Sequence, residues 1–140
     1  MTADTGPRGL RVPLVAGAII GVAQTATPFA FWWLAPATVY ALGLVVIAAV
    51  YIGFSVADGR WKVIAAETTV ATVFVVAAAA VTGPAWLLVA GLTGHGLKDL
   101  WQHRTQFVTG TRCWPPSCAA VDFVAAVILA SALAAGANFR

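Results

Sequence analysis

The sequence predicts an all-α membrane protein, one domain over residues 1–140 built as a bundle of five transmembrane helices. Three observations carry that expectation. First, hydrophobic residues make up 61% of the chain and charged residues only 9%. An average soluble domain has about 25% charged residues, and one this small buries only about two thirds of its chain surface. Water could not be the solvent for so much apolar area. Second, Arg8, Arg11, Arg60, Lys62, Lys98, Arg104 and Arg112 fall at one expected side of the bundle, and only Arg140 at the other. Third, all six tryptophans fall at expected helix ends, where an indole sits between headgroups and acyl chains.

A span needs about 20 apolar residues. The first is expected over residues 12–33. Arg8 and Arg11 followed by an apolar run imitate a signal peptide. The run passes Gln24-Thr25-Ala26, a poor small-x-small cleavage site, so the segment reads as a retained helix. Gly17 and Gly21 form a GxxxG spacing that suits close helix approach, and a homo-oligomer through that face is one expected partner. Pro28 is expected to kink this span. The second span is expected over residues 36–56, the third over 61–81, the fourth over 84–103 and the fifth over 116–135. Pro36, Pro84 and Pro116 stand at three of these starts, where a missing N–H costs nothing. Connections such as Leu34-Ala35 and Thr82-Gly83 are short enough to make successive helices antiparallel neighbours.

Orientation follows from the basic residues. The positive-inside rule puts the N-terminus in the cytoplasm and the C-terminus outside, in a multi-pass protein of the inner (plasma) membrane. A net charge of +3 and a pI near 9.3 do not argue for nucleic acid. The cations are scattered between apolar runs, without a basic stripe, so membrane lipids are the expected surroundings. No GxSxG, P-loop or dinucleotide fingerprint is present.

Acidic residues number only five, and three of them, Glu67, Asp99 and Asp122, fall inside expected spans. A carboxylate at a helix centre costs about 2.5–3.5 kcal/mol on insertion scales, so intramembrane acids mark function by default. The fourth span ends in Gly94-His95-Gly96-Leu97-Lys98-Asp99-Leu100-Trp101-Gln102-His103. At helical spacing His95, Lys98, Asp99, Gln102 and His103 share one face, and His95, Asp99 and His103 stack at i, i+4, i+8. With His103 at the inner end, Asp99 lies about 6 Å and His95 about 12 Å deep at 1.5 Å per residue. Glu67 and Asp122 reach a similar level from the third and fifth spans, with Cys118 one turn from Asp122 on its face. Tyr51 and Ser55 are the polar groups of the second span that could face this cluster.

Each residue also has a plainer reading. His103 could simply protrude into water. Glu67 could form an ion pair with Lys98 or Lys62 that only fixes packing. Asp122 could favour the dipole at the start of its helix. Cys118 could be a small buried residue rather than a nucleophile, and Asp58-Gly59-Arg60 a turn. The chemical readings are an acid/base site of Glu67, His95, Asp99 and Asp122, or a divalent metal held by His95, Asp99, His103 and Glu67, with Lys98, Cys118 and Tyr51 lining the pocket. Three acids against one lysine leave negative charge to balance. Protons, a charged histidine, a divalent cation or an arginine reaching in from the interface are all open routes.

The block His95-x-x-x-Asp99-x-x-x-His103, then Trp114-Pro115-Pro116-Ser117-Cys118 and Asp122, resembles an uncharacterised family of small bacterial integral membrane proteins. Tyr51-Ile52-Gly53-Phe54, Asp58-Gly59-Arg60 and Glu67 resemble it too. Lys98 departs from the pattern, which has an aromatic residue there. The resemblance implies the membrane fold and the grouping of these residues, and brings no activity with it. The expected function is a small intramembrane enzyme acting on a lipid-like or isoprenoid-like substrate. A proton- or cation-coupled transporter working as an oligomer, or a structural assembly partner, are the alternatives.

Overall fold

A computed structural model describes residues 7–79 and 84–139. Among them every element is helical: α1 (Pro7–Thr25), α2 (Thr27–Ala30), α3 (Pro36–Asp58), α4 (Trp61–Ala79), α5 (Trp86–Thr105) and α6 (Trp114–Ala134). Three are long and apolar enough to cross a membrane, namely α3, α4 and α6, while Gly9–Thr25 is a shorter apolar helix. The end of the third expected span at Val81, the Thr82-Gly83 turn and Arg140 lie outside the described residues.

The first expected span is divided. α1 stops at Thr25 and a four-residue helix follows, so the expected kink at Pro28 is a break. Pro28 has no N–H to return to Gln24 O, and the Thr27 hydroxyl donates to that carbonyl instead, at 2.7 Å. The Thr25 carbonyl accepts a 2.7 Å hydrogen bond from the Tyr40 hydroxyl of α3. Two carbonyls at the break, those of Gln24 and Thr25, thus take side-chain donors in place of the lost ladder. Tyr40→Phe is expected to lower stability by about 1 kcal/mol, read as a fall in thermal midpoint in detergent. A midpoint equal to the unaltered protein's would show the break is held some other way.

The long helices alternate in direction. His95 of α5 meets Asp122 of α6, while Leu88 and Leu92 share a core with Ala125, Ala126 and Leu129, so these two helices run antiparallel. Gly17 touches Ser117 and Ala120, and Gly21 touches Val121 and Val124, so α1 and α6 run parallel. Leu44 of α3 lies on Gly91 and Tyr51 on His95, which sets α3 parallel to α5. Glu67 pairs with Lys98 and Phe74 packs on His95, which sets α4 antiparallel to α5.

The glycine face of α1 is not free. A Cβ on Gly17 would overlap the Ser117 carbonyl oxygen and sit 2.9 Å from Ala120 Cβ, and one on Gly21 would sit 2.7 Å from Val121 O. The GxxxG surface expected to recruit a second copy is thus used within the chain, because two small residues let the backbones of α1 and α6 meet. Around it Val12, Ile19 and Ile20 stay more than half exposed. All six tryptophans are exposed too. So much exposed apolar surface suits lipid as the solvent.

At one end, Tyr40, Ala41, Leu44, Leu88, Leu92, Ala125, Ala126 and Leu129 fill the bundle with an apolar core. At the opposite end, Gly59 closes α3 in the left-handed conformation (φ 78°), and Asp58-Gly59-Arg60 is more than a turn. Asp58 Oδ2 accepts from the Thr109 backbone N–H (2.8 Å) and hydroxyl (2.7 Å). Arg60 donates to Asp58 at 2.6 and 2.8 Å and to the Phe107 carbonyl at 2.6 Å. The connection after α3 is thereby tied to the connection after α5.

Candidate functional site

Three helices deliver ionisable groups to one level of the interior. α5 supplies His95, Asp99 and Gln102, each 0% exposed; α6 supplies Asp122, also 0%; and α4 supplies Glu67, 2%. The spacing explains the convergence. On α5, His95, Asp99 and Gln102 fall one turn apart on the face that also carries Leu88 and Leu92. On α4, Val63, Glu67 and Ala71 make the buried stripe.

The group divides into two parts. In the first, Lys98 Nζ lies 2.5 Å from Glu67 Oε2 and 3.4 Å from the centroid of the Tyr51 ring. Glu67 therefore takes its plainer reading with respect to Lys98, an ion pair between α4 and α5. In the second, His95 Nδ1 lies 2.8 Å from Asp122 Oδ2 and 3.4 Å from Asp99 Oδ2. His95, Asp99 and Asp122 offer atoms within 4.8 Å of one another, the one group among the described residues with the spacing of a metal site.

This second part is not closed by its own hydrogen bonds. Both oxygens of Asp99, Asp122 Oδ1, His95 Nε2, the Tyr51 hydroxyl and both amide atoms of Gln102 are buried without a partner. Buried polar groups are normally satisfied, so this set of unmet donors and acceptors asks for a guest such as water, a proton, a cation or a polar substrate group.

The expected residues therefore sort unevenly. His95, Asp99 and Asp122 meet, and Tyr51 borders them. His103 does not join: eight residues from His95 on one helix is about 12 Å, whereas ligands of a single ion lie within about 4 Å of one another at bonds near 2 Å. Glu67 is engaged by Lys98. The metal set expected from spacing along α5 is corrected accordingly, because i, i+8 stacking keeps a face but not a distance. Asp122 does not act at a helix start, since α6 begins at Trp114, two turns earlier. Ser55 donates to its own helix at Ile52 O, 2.8 Å away, and has no role in the cluster. Cys118 is a half-buried free thiol.

Two contributors were not expected. Phe74 packs edge-on to the His95 imidazole, with centroids 5.0 Å apart. It lies two turns beyond Glu67 on α4, so the heptad spacing was the available signal. The second is a cavity of about 550 Å³ between α1–α2 and α3, lined by Ile20, Gln24, Thr27, Val39, Gly43 and Ile47 among others. It is distinct from the pocket expected around Glu67, His95, Asp99 and Asp122, and opens where the break after Thr25 holds α1 and α3 apart. Neither a protein-family model, a curated protein nor a solved structure matches the chain.

Proposed function

We propose that the chain is a five-span protein of the inner membrane, N-terminus in the cytoplasm and C-terminus outside, that works as a small intramembrane enzyme on a lipid-like or isoprenoid-like substrate. The observation that carries this reading is the sealed pair of facing carboxyls, Asp99 and Asp122, bracketing His95 with most of their polar atoms unmet. A cluster that served only to hold helices together would close its own hydrogen bonds, since that closure is what makes polar groups adhesive in lipid. Three groups able to give or take a proton, held within 4.8 Å of one another in a buried site, suit general acid–base work. His95 accepts or returns the proton, and the carboxyls orient it and supply the acid.

Five alternating helices support five crossings, with α1 and α5 completing the three apolar spans. Arg11, Arg60, Lys62, Arg104 and Arg112 gather at one end of that arrangement, which supports the cytoplasmic assignment. The apolar core above the cluster argues against the transporter alternative, because a transport path needs polar groups on both sides of its binding site. Substrate would enter between two layers. α3 and α4 pack as one pair and α1, α5 and α6 as one trio; at the level of the cluster the seam between them is crossed by Glu67–Lys98 and the Tyr51 and Phe74 rings, and beyond it by the apolar core.

Lipid and isoprenoid extracts of cells producing the unaltered protein or Asp122→Asn are the test. One lipid class is expected to change at least about ten-fold with the unaltered protein and not with the variant, since loss of a general acid or base typically lowers a rate by about 10²–10⁴-fold. Identical extracts, together with proton or cation uptake by vesicles holding the protein, would transfer the reading to transport.

A further inference from the structure

We infer that His95, Asp99 and Asp122 are the three protein ligands of one divalent first-row transition-metal ion. The inference deepens the enzyme reading above and rests on it for its purpose, while its geometry stands independently.

Charge comes first. Glu67 and Lys98 neutralise each other at 2.5 Å. Asp99 and Asp122 then remain as two neighbouring carboxyls, both 0% exposed, with a histidine between them and ligand atoms of all three within 4.8 Å of one another. No lysine or arginine among the described residues forms an ion pair with either. Two buried like charges are untenable alone. One divalent ion balances both while His95 stays neutral, which is the form in which imidazole binds metal.

Distance comes second. With metal–ligand bonds of about 2.1 Å, neighbouring ligand atoms lie about 3.0 Å apart in octahedral and about 3.4 Å apart in tetrahedral coordination. His95 Nδ1 stands 2.8 Å from Asp122 Oδ2 and 3.4 Å from Asp99 Oδ2. These edges need only small side-chain adjustments to admit an ion.

The unpartnered atoms come third, and they are independent of charge. Asp99 Oδ1 and Asp122 Oδ1, the Tyr51 hydroxyl and the Gln102 amide are buried with nothing to bond. Three protein ligands leave coordination positions open, and a water there would give such groups partners, as the outer shell of a metal site does. The nitrogen ligand selects manganese, iron, cobalt or zinc over magnesium and calcium, which prefer all-oxygen shells. Such an ion would lower the pKa of a bound water and furnish a hydroxide nucleophile inside the bilayer.

The test uses the full chain in lipid nanodiscs, its metal content measured as isolated and again after chelation and reloading with Co²⁺, Zn²⁺ or Mn²⁺ separately. The unaltered protein is expected to hold about one ion per chain, and its Co²⁺ form to show visible absorption bands. Asp99→Asn and Asp122→Asn keep side-chain shape and are expected to weaken binding more than about ten-fold, at least the loss typical of outer-shell changes. His103→Ala is expected to bind as the unaltered protein does. Absence of stoichiometric metal in the unaltered protein, before and after reloading, overturns the inference without needing any variant to fold. Equal losses in His103→Ala overturn the ligand assignment. A lipid change that persists in a metal-free protein would leave acid–base catalysis standing and remove only the metal.

Discussion

Glu67→Leu alone is expected to destabilise the bundle by about 3 kcal/mol, whereas Glu67→Leu combined with Lys98→Met recovers most of that loss. Breaking a buried ion pair by removing one partner costs about 3–5 kcal/mol, because the surviving charge is stranded; replacing both by apolar groups of similar size is near neutral. The lower end applies here. The Lys98 side chain keeps 13% of its exposure and retains the Tyr51 ring beneath its ammonium, so it is not wholly abandoned. Lys98→Met alone strands Glu67, at 2%, and should cost more than Glu67→Leu. Reversible unfolding in mixed detergent micelles measures all four proteins. Additive single effects would mean that the two side chains do not meet in the membrane, and the charge balance assigned to Asp99 and Asp122 would go with them.

The same pair decides how the two helical layers relate. α3 and α4 on one side, and α1, α5 and α6 on the other, each pack extensively within themselves. At the level of the cluster the seam is crossed by Glu67–Lys98 and by Tyr51 and Phe74 on the His95 imidazole, at centroid distances of 5.9 and 5.0 Å; away from it the Tyr40 hydroxyl reaches the Thr25 carbonyl. His95, Asp99 and Asp122 belong entirely to one layer, and the aromatic rings over them to the other. On the enzyme reading proposed above, the trio need not rearrange, and access requires only that the covering layer shift. The connections beyond the cluster are braced by Asp58, Arg60 and Thr109, which favours a seam that yields sideways to lipid over one that opens downward to water.

How much of this the sequence could express follows from the range of each interaction. Apolar runs and their Pro starts are local, so α3 was legible nearly to the residue. The face shared by His95, Asp99 and Gln102 was legible because it is helical periodicity. The distance from His95 to Asp122 was not, because it depends on where α6 begins, and Trp114-Pro115-Pro116 lets the helix start ahead of the prolines. The division of the first span was half legible. Pro28 announces a defect, but whether it kinks or breaks depends on Tyr40, a distant residue that satisfies the Thr25 carbonyl. Asp58 looked like turn chemistry because its partners, Thr109 and the Arg60–Phe107 link, come from a connection about 50 residues on. Gly17 and Gly21 announced a close contact correctly, yet a small-residue spacing is blind to whether its partner is another chain or α6.

That ambiguity yields the second large effect. Gly17→Val is expected to cost about 2–3 kcal/mol, the range for forcing extra atoms into a packed contact, because its Cβ would overlap backbone, the Ser117 carbonyl, which cannot rotate aside. Gly94→Ala is the matched control on another helix. No atom lies within 4 Å of its added methyl, so it should be neutral or stabilising by up to about 1 kcal/mol through helix propensity alone. Opposite signs for two helical glycines would be the signature of α1 resting on α6. Equal effects would detach α1 from the bundle and leave Gly17 free for a second copy. The consequence reaches the site, because Gly21 bears on Val121, the neighbour of Asp122. Pushing α1 outward removes the support behind Asp122, and its 2.8 Å approach to His95 should lengthen. Gly17→Val is therefore expected to weaken cobalt binding even though the substituted residue touches none of the three ligands.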